Sequence, residues 1–118
     1  MRIFLKRKIS RVRVDYVDSS CPDSIGIDSA LMEAVDILEY EQVHVLNERN
    51  GARFITYAIK EDTEEHESSV CIYGPIARLI EIGDSLIILS YEISSDNEIR
   101  EVKSVEYEDE NDNSDQGG

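Results

Sequence analysis

Four short stretches of this 118-residue chain hold side chains able to do chemistry. Ser24, after Pro22 and Asp23, offers a hydroxyl that can act as a nucleophile. The run Asn50-Gly51-Ala52-Arg53-Phe54-Ile55-Thr56-Tyr57 brings a guanidinium, a hydroxyl and a phenol close together in sequence. Lys8 sits in a basic segment, and Tyr73-Gly74-Pro75-Ile76 has the composition of a tight loop. The planar fork of Arg53 suits a carboxylate, a charge-assisted contact worth about 1.5–3 kcal/mol. Every one of these groups also has an ordinary reading. A serine in a loop is usually a turn residue, and an arginine two places after Asn-Gly is usually an exposed hairpin cation. Tyr57 and Thr56 on a strand are usual packing and β-forming residues, and Lys8 belongs to a run that can simply be solvated.

Composition narrows the classes. Twelve Lys and Arg against 26 Asp and Glu give a net charge of −14, which argues against a nucleic-acid partner because phosphate attraction needs clustered cations. No apolar run approaches the ~18 residues of a membrane span, and no signal-peptide pattern opens the sequence. A soluble, cytoplasmic protein without membrane or nucleic-acid partners is expected. Two cysteines, Cys21 and Cys71, make neither a disulfide framework nor a zinc site. The charge is unevenly placed: residues 1–14 hold six of the twelve basic groups and no acid, leaving the other 104 residues at −20. The plain expectation is that this segment pairs with acidic surface; the sharper one is that some of its cations line an anion site.

The elements that must position these groups have a dominant period of two. Val12, Val14 and Tyr16 alternate with charged residues, as a half-buried strand does. The run around Val43 and Val45 ends at Asn50-Gly51, and a second β-rich run follows from Arg53 to Ile59, so the two read as a hairpin. On that strand the neighbours Thr56 and Tyr57 must face opposite ways. Further strands are expected at 69–73 and 85–91, the latter buried on both faces, with Gly83-Asp84 as the turn before it. Asp28 to Leu38 reads as a helix with a cap-like start and Leu31, Val35 and Leu38 on one face. A shorter helical turn is expected at Pro75–Leu79. Six or seven short strands with one true helix suggest a small closed barrel over residues 1–105. Residues 106–118 hold six acids and no base, the composition of a disordered solubilising tail.

The order of local motifs says more. Lys8-Ile9-Ser10-Arg11-Val12-Arg13-Val14, then Asp23-Ser24-Ile25-Gly26-Ile27-Asp28, then Ile37-Leu38-Glu39, the Asn50–Tyr57 run, Tyr73-Gly74-Pro75-Ile76-Ala77 and Ile82-Gly83-Asp84 follow one another without large insertions. In this order and spacing the chain resembles the aspartate 1-decarboxylases, small pyruvoyl-dependent enzymes. The resemblance implies a mainly-β fold, a small double-psi β-barrel with one or two short helices, assembled as a homotetramer with active sites between subunits. It also implies self-processing, with room for a maturation factor. The Ser24 hydroxyl would attack the Asp23 carbonyl carbon, and its ester would undergo β-elimination. The dehydroalanine left at 24 would hydrolyse to a pyruvoyl group, the covalent cofactor. Decarboxylation leaves electrons on the substrate α-carbon, and a carbonyl that forms a Schiff base with the amine accepts them. By the same resemblance Arg53, Lys8 and the 74–76 loop (Gly74, Pro75, Ile76) bind the amino acid. Tyr57 gives a proton, while Thr56 holds the scissile carbonyl at Asp23-Ser24.

The chain departs from the family pattern near the cut. Asp23 stands where the family has glycine, Cys21 replaces a tyrosine, and Ser10 replaces a histidine. Tyr73-Gly74-Pro75-Ile76-Ala77 replaces Asn-Gly-Ala-Ala-Ala. Three readings follow: a decarboxylase making β-alanine from L-aspartate, the same chemistry on another amino acid, or an unprocessed barrel that serves as a binding or assembly subunit.

Overall fold

The alternation at Val12 and Val14 belongs to a long first strand, β1 (Arg2–Asp18), around which the chain winds. The computed structural model describes residues 1–62, 69–95 and 101–107. Along β1, Ile9, Val12 and Val14 are buried in the barrel. So long a strand bends by bulging: its pairing with β6 (Ser85–Ser94) slips between Leu5 and Arg7 and between Ile9 and Val12. Arg11, in the second slip, takes a φ of 63°.

The remaining strands are β2 (Ser24–Asp28), β3 (Gln42–Asn47), β4 (Arg53–Glu61), β5 (Ser69–Tyr73) and β7 (Lys103–Glu106). Their order is β5-β2-β4-β3-β6-β1, and a parallel pairing of β1 with β5 closes six strands into a barrel. A second parallel pair, β2 with β4, lies within it. Closure, mixed pairing and, among the described residues, a single α-helix match the fold class expected of a small double-psi β-barrel. Inside sit Ile25, Ile27, Val43, Val45, Val70, Ile72, Leu86 and Ile88, with α1 (Ser29–Val35) adding Leu31, Met32 and Val35.

The β3–β4 hairpin turns at Gly51, whose φ of 73° suits glycine, and its register sets Leu46 opposite Arg53. Asp84 ties this hairpin to the turn before β6. Its buried carboxylate accepts from Arg49 Nε (2.7 Å), Asn47 Nδ2 (2.9 Å) and the Glu81 amide (2.8 Å). The Arg49 guanidinium is the main cause holding the Asp84 carboxyl down at about 2.

Several expectations need correction. The helix begins where expected, with Asp28 capping the amides of Ala30 and Leu31, but it stops at Val35. Asp36 turns left-handed there (φ 60°), and Ile37 takes the buried place while Leu38 is left 67% exposed. Strand β6 is not buried on both faces: Leu86, Ile88 and Ser90 point inward, whereas Ile87, Leu89 and Tyr91 are half-buried on the outside. The acidic tail does not begin at 106. Glu106 pairs with Ser10 in β7, the Tyr107 amide donates to the Ser10 carbonyl (3.0 Å), and Val105 and Tyr107 pack on the core. The rest of that stretch, 108–118, lies outside the described residues. No helix of the described residues is long and apolar enough to cross a membrane.

Candidate active site

Ser24 opens β2 between two neighbours, with β5 on one side (Ser24 opposite Tyr73) and β4 on the other (Ile25 opposite Ala58). It is buried, and its hydroxyl turns back over the preceding residues, donating to the Pro22 carbonyl at 3.4 Å. Asp23, at the surface, has a φ outside the left-handed region, so the β-carbon it carries in place of glycine meets no penalty there. The glycine that close approach demands is Gly74 (φ 97°). A β-carbon built on it would stand 2.0 Å from Asp23 Oδ1, 2.6 Å from Asp23 Cα and 2.7 Å from Asp23 N. Gly74 is held in place by its amide, which donates to the Asp18 carbonyl (2.9 Å).

Thr56 and Tyr57 face opposite ways on β4, the first 5% exposed and the second 40%. Both nevertheless border one surface cavity of about 410 Å³, together with Asp23, Tyr40, Gln42 and Ile55. The Thr56 hydroxyl is fully buried and has no hydrogen-bond partner among the described residues. A buried polar group without a partner costs about 1–3 kcal/mol, so its persistence beside Asp23 needs a reason.

Tyr40 was not legible as a site residue. It adopts φ 70°, a conformation that costs a bulky side chain of order 1–3 kcal/mol. Two hydrogen bonds impose it: the Tyr40 amide donates to the Ala58 carbonyl (2.7 Å), and the Ala58 amide donates to the Glu41 carbonyl (3.0 Å). Nothing in its residue type announces a left-handed backbone.

The two proposed carboxylate holders lie elsewhere on the chain. Lys8 pairs with Leu89 on the outer side of the barrel, and that row continues through His44 to Ile55. Three strand spacings, roughly 14 Å, separate Lys8 from β4. Arg53 is on the same outer side, four residues before Tyr57 along β4, a rise of roughly 13 Å. Its Nη2 donates to the Tyr91 hydroxyl at 3.4 Å. Within one chain, then, Asp23, Ser24, Thr56, Tyr57 and Gly74 come together, and Lys8 and Arg53 do not join them. Of the other basic residues, Arg7 turns inward to Asp36 (3.1 Å) and Glu41 (3.8 Å), and Lys6 meets Glu92 (3.0 Å). That is the plain expectation for the basic segment, and Lys8 has no ion-pair partner among the described residues.

In the altered loop, Pro75 opens a short 3-10 helix (Pro75–Leu79) and Ile76 packs on the core. The Tyr73 ring leaves the cavity altogether. Its hydroxyl donates to Glu61 Oε1 at 2.6 Å, and Glu61 itself lies over Gly26. Burial and that carboxylate push the phenol's pKa upward. Burial likewise lifts the Cys71 thiol to about 11, as suits an inert packing residue. Cys21 is half-buried with its pKa raised, mainly by burial and by Asp18, whose Oδ2 lies 3.5 Å from Sγ.

A family model described as aspartate decarboxylase matches residues 1–114. The chain belongs to that family. It is 46% identical over 111 residues to the aspartate 1-decarboxylase of Thermoanaerobacter pseudethanolicus, covering 93% of each chain. With the aspartate 1-decarboxylase of Clostridium novyi it shares 43% identity over 101 residues, 86% of this chain and 80% of the relative. With that of Campylobacter jejuni the figures are 44% over 108 residues, 91% and 83%. Among solved structures, a computationally designed protein, msDPBB_sym2, aligns at a TM-score of 0.48 and 13% identity, covering 74% of this chain and 96% of its own. Membership in the aspartate decarboxylase family makes this barrel an aspartate 1-decarboxylase-like enzyme.

Proposed function

We propose that this chain cuts itself between Asp23 and Ser24 and then converts L-aspartate to β-alanine and CO2. The observation that carries the reading is the buried, unpartnered hydroxyl of Thr56, a residue that borders the same cavity as Asp23 and Tyr57. A hydrogen bond aimed at charge that develops only during reaction leaves its donor idle beforehand. Thr56 is such a donor for the Asp23 carbonyl oxygen. When the Ser24 hydroxyl attacks that carbon, its proton passes to the departing amide nitrogen and the peptide becomes an ester. Loss of the residue-24 α-proton then breaks the Cβ–O bond and frees residues 1–23 as a carboxylate. Water replaces the nitrogen left on residue 24, and ammonia departs.

The residues present fit a pyruvoyl group at position 24, since Ser24 is buried and Gly74 leaves room at the junction where a side chain would not fit. That group supplies a carbonyl that captures the substrate amine and accepts the electrons left as CO2 leaves. Arg53 holds one substrate carboxylate in its fork and Lys8 neutralises the other. Tyr57 is the proton donor to the substrate α-carbon, and Gly74, Pro75 and Ile76 border the amino acid. Because Lys8 and Arg53 sit on the outer sheet face, a second copy has to bring them to Ser24. The apolar residues exposed on the barrel surface, Ile3, Ile55 and Ile93, support that assembly, a homotetramer with shared sites. A cytoplasmic setting suits this chemistry, and a maturation factor would act on the cleavage step alone. Tyr73 bends away to Glu61, so the altered loop leaves the cavity free of its ring, which favours aspartate over a different amino acid.

The test is CO2 release from a panel of amino acids by the processed protein. Aspartate should stand alone, and Arg53→Ala should abolish release while leaving cleavage intact. Equal release from several amino acids, or none, would refute the reading.

A further inference from the structure

Tyr40 is strained, exposed and aromatic at once, and its ring rests on the residue that holds the proton. The two rings lie 6.5 Å apart at 54°, a tilted contact of the favourable kind, and both border the cavity shared with Asp23 and Thr56. Packing within the chain's own core does not account for the arrangement, because in the single chain Tyr40 is 71% exposed. Nor does the turn need a tyrosine: at φ 70° a glycine or asparagine would sit more easily. Both backbone hydrogen bonds that impose this φ run to Ala58, the residue after Tyr57. The segment is therefore pinned to β4 where it can lay a ring against Tyr57.

We propose that Tyr40 is a positioning residue that confines the Tyr57 phenol to the orientation facing the cavity. The proposal rests on the decarboxylase reading above and deepens it. A half-exposed tyrosine on a strand can occupy up to three staggered χ1 wells, and a ring standing on one side removes the wells that point away. Without that wall the phenol spreads out, and a smaller fraction of molecules hold the proton where the substrate α-carbon needs it. Arg53 and Lys8 still hold the substrate, so KM should not move. Thr56 and Gly74 still serve cleavage, so processing should not move either.

The experiment compares full-length native protein with Tyr40→Gly and Tyr40→Phe, each purified and assayed on L-aspartate. Tyr40→Gly should melt at or above the native temperature, because the left-handed backbone is relieved. It should cleave as the native chain does, and its kcat should fall about threefold, the dilution of one χ1 well into three, with KM unchanged. Tyr40→Phe keeps the ring and should restore native kcat. In a Tyr57→Phe background, Tyr40→Gly should have no further effect, since the group it positions is gone. A native kcat in Tyr40→Gly would overturn the proposal. So would a kcat loss accompanied by a lower melting temperature, slower cleavage or higher KM, which would mark a structural role. Absence of CO2 release from the native protein would instead strike down the decarboxylase reading, before any Tyr40 variant is assayed.

Discussion

Gly74 lies against Asp23 so closely that no side chain fits between them: a β-carbon there would stand 2.6 Å from Asp23 Cα and 2.7 Å from its nitrogen. Backbone atoms cannot swing aside as a side-chain end can. Gly74→Ala should therefore shift the Asp23-Ser24 junction and all but stop cleavage, read as the fraction of full-length chain over time by intact mass. Gly51→Ala is the control. It carries a similar positive φ (73°) with nothing within 4 Å of the added carbon, so it should cost stability of order 1–3 kcal/mol and leave cleavage alone. Equal cleavage in both variants would remove the close approach from the account.

Thr56→Ala deletes a hydroxyl that bonds to nothing among the described residues of the folded chain. Its cost in stability should stay within about 1 kcal/mol, the span of β-propensity. Cleavage should slow by about 100-fold, the usual loss when one donor to a developing oxyanion goes, and Thr56→Ser should recover most of it. A large drop in melting temperature with normal cleavage would give Thr56 a packing role instead.

In the proposed cleavage Asp23 would bring a carboxylate to the carbonyl under attack, and like charge disfavours an oxyanion there. Its φ lies outside the left-handed region, so charge rather than backbone freedom is the burden. Asp23→Asn and Asp23→Gly should both speed cleavage, and to similar extents. Acceleration by glycine alone would point back to the backbone.

Acid stability gives a test of the hairpin anchor. Asp84 is held near 2 when folded against about 3.9 unfolded. A depressed carboxylate contributes stability that is complete above about pH 4 and lost as pH falls toward 2. Asp84→Asn should lower the urea midpoint at pH 6 and flatten its decline between pH 5 and pH 2.5. A variant that keeps the native acid slope would show that other carboxylates govern it.

Much of the architecture was legible because period two reports which residues face inward. Val12, Val14, Val43 and Val45 were readable on that basis, and Asn50-Gly51 located the hairpin. Period says nothing of which strand lies alongside, so the parallel closure of β1 on β5 and the docking of β7 on β1 were hidden. The early end of α1 depends on one left-handed residue, Asp36, and aspartate takes such a backbone only when its surroundings ask for it. Nor does period show whether an apolar outer face finds a cover, which is why β6 read as buried on both sides. Motif order brought out Ser24, Thr56 and Tyr57 as candidates, but it could not show that Lys8 and Arg53 sit apart from them on one chain. Tyr40 was invisible because its position depends on a backbone angle set by Ala58, and Glu61 because it meets Tyr73 only in three dimensions.

The intact mass of the purified full-length protein decides whether the chain cuts itself. Two chains are expected, of 23 and 95 residues, the longer lacking a free amine at residue 24. Borohydride reduction with L-aspartate present should add mass to the longer chain only. A single unbroken 118-residue species that takes up no label and releases no CO2 would contradict these expectations.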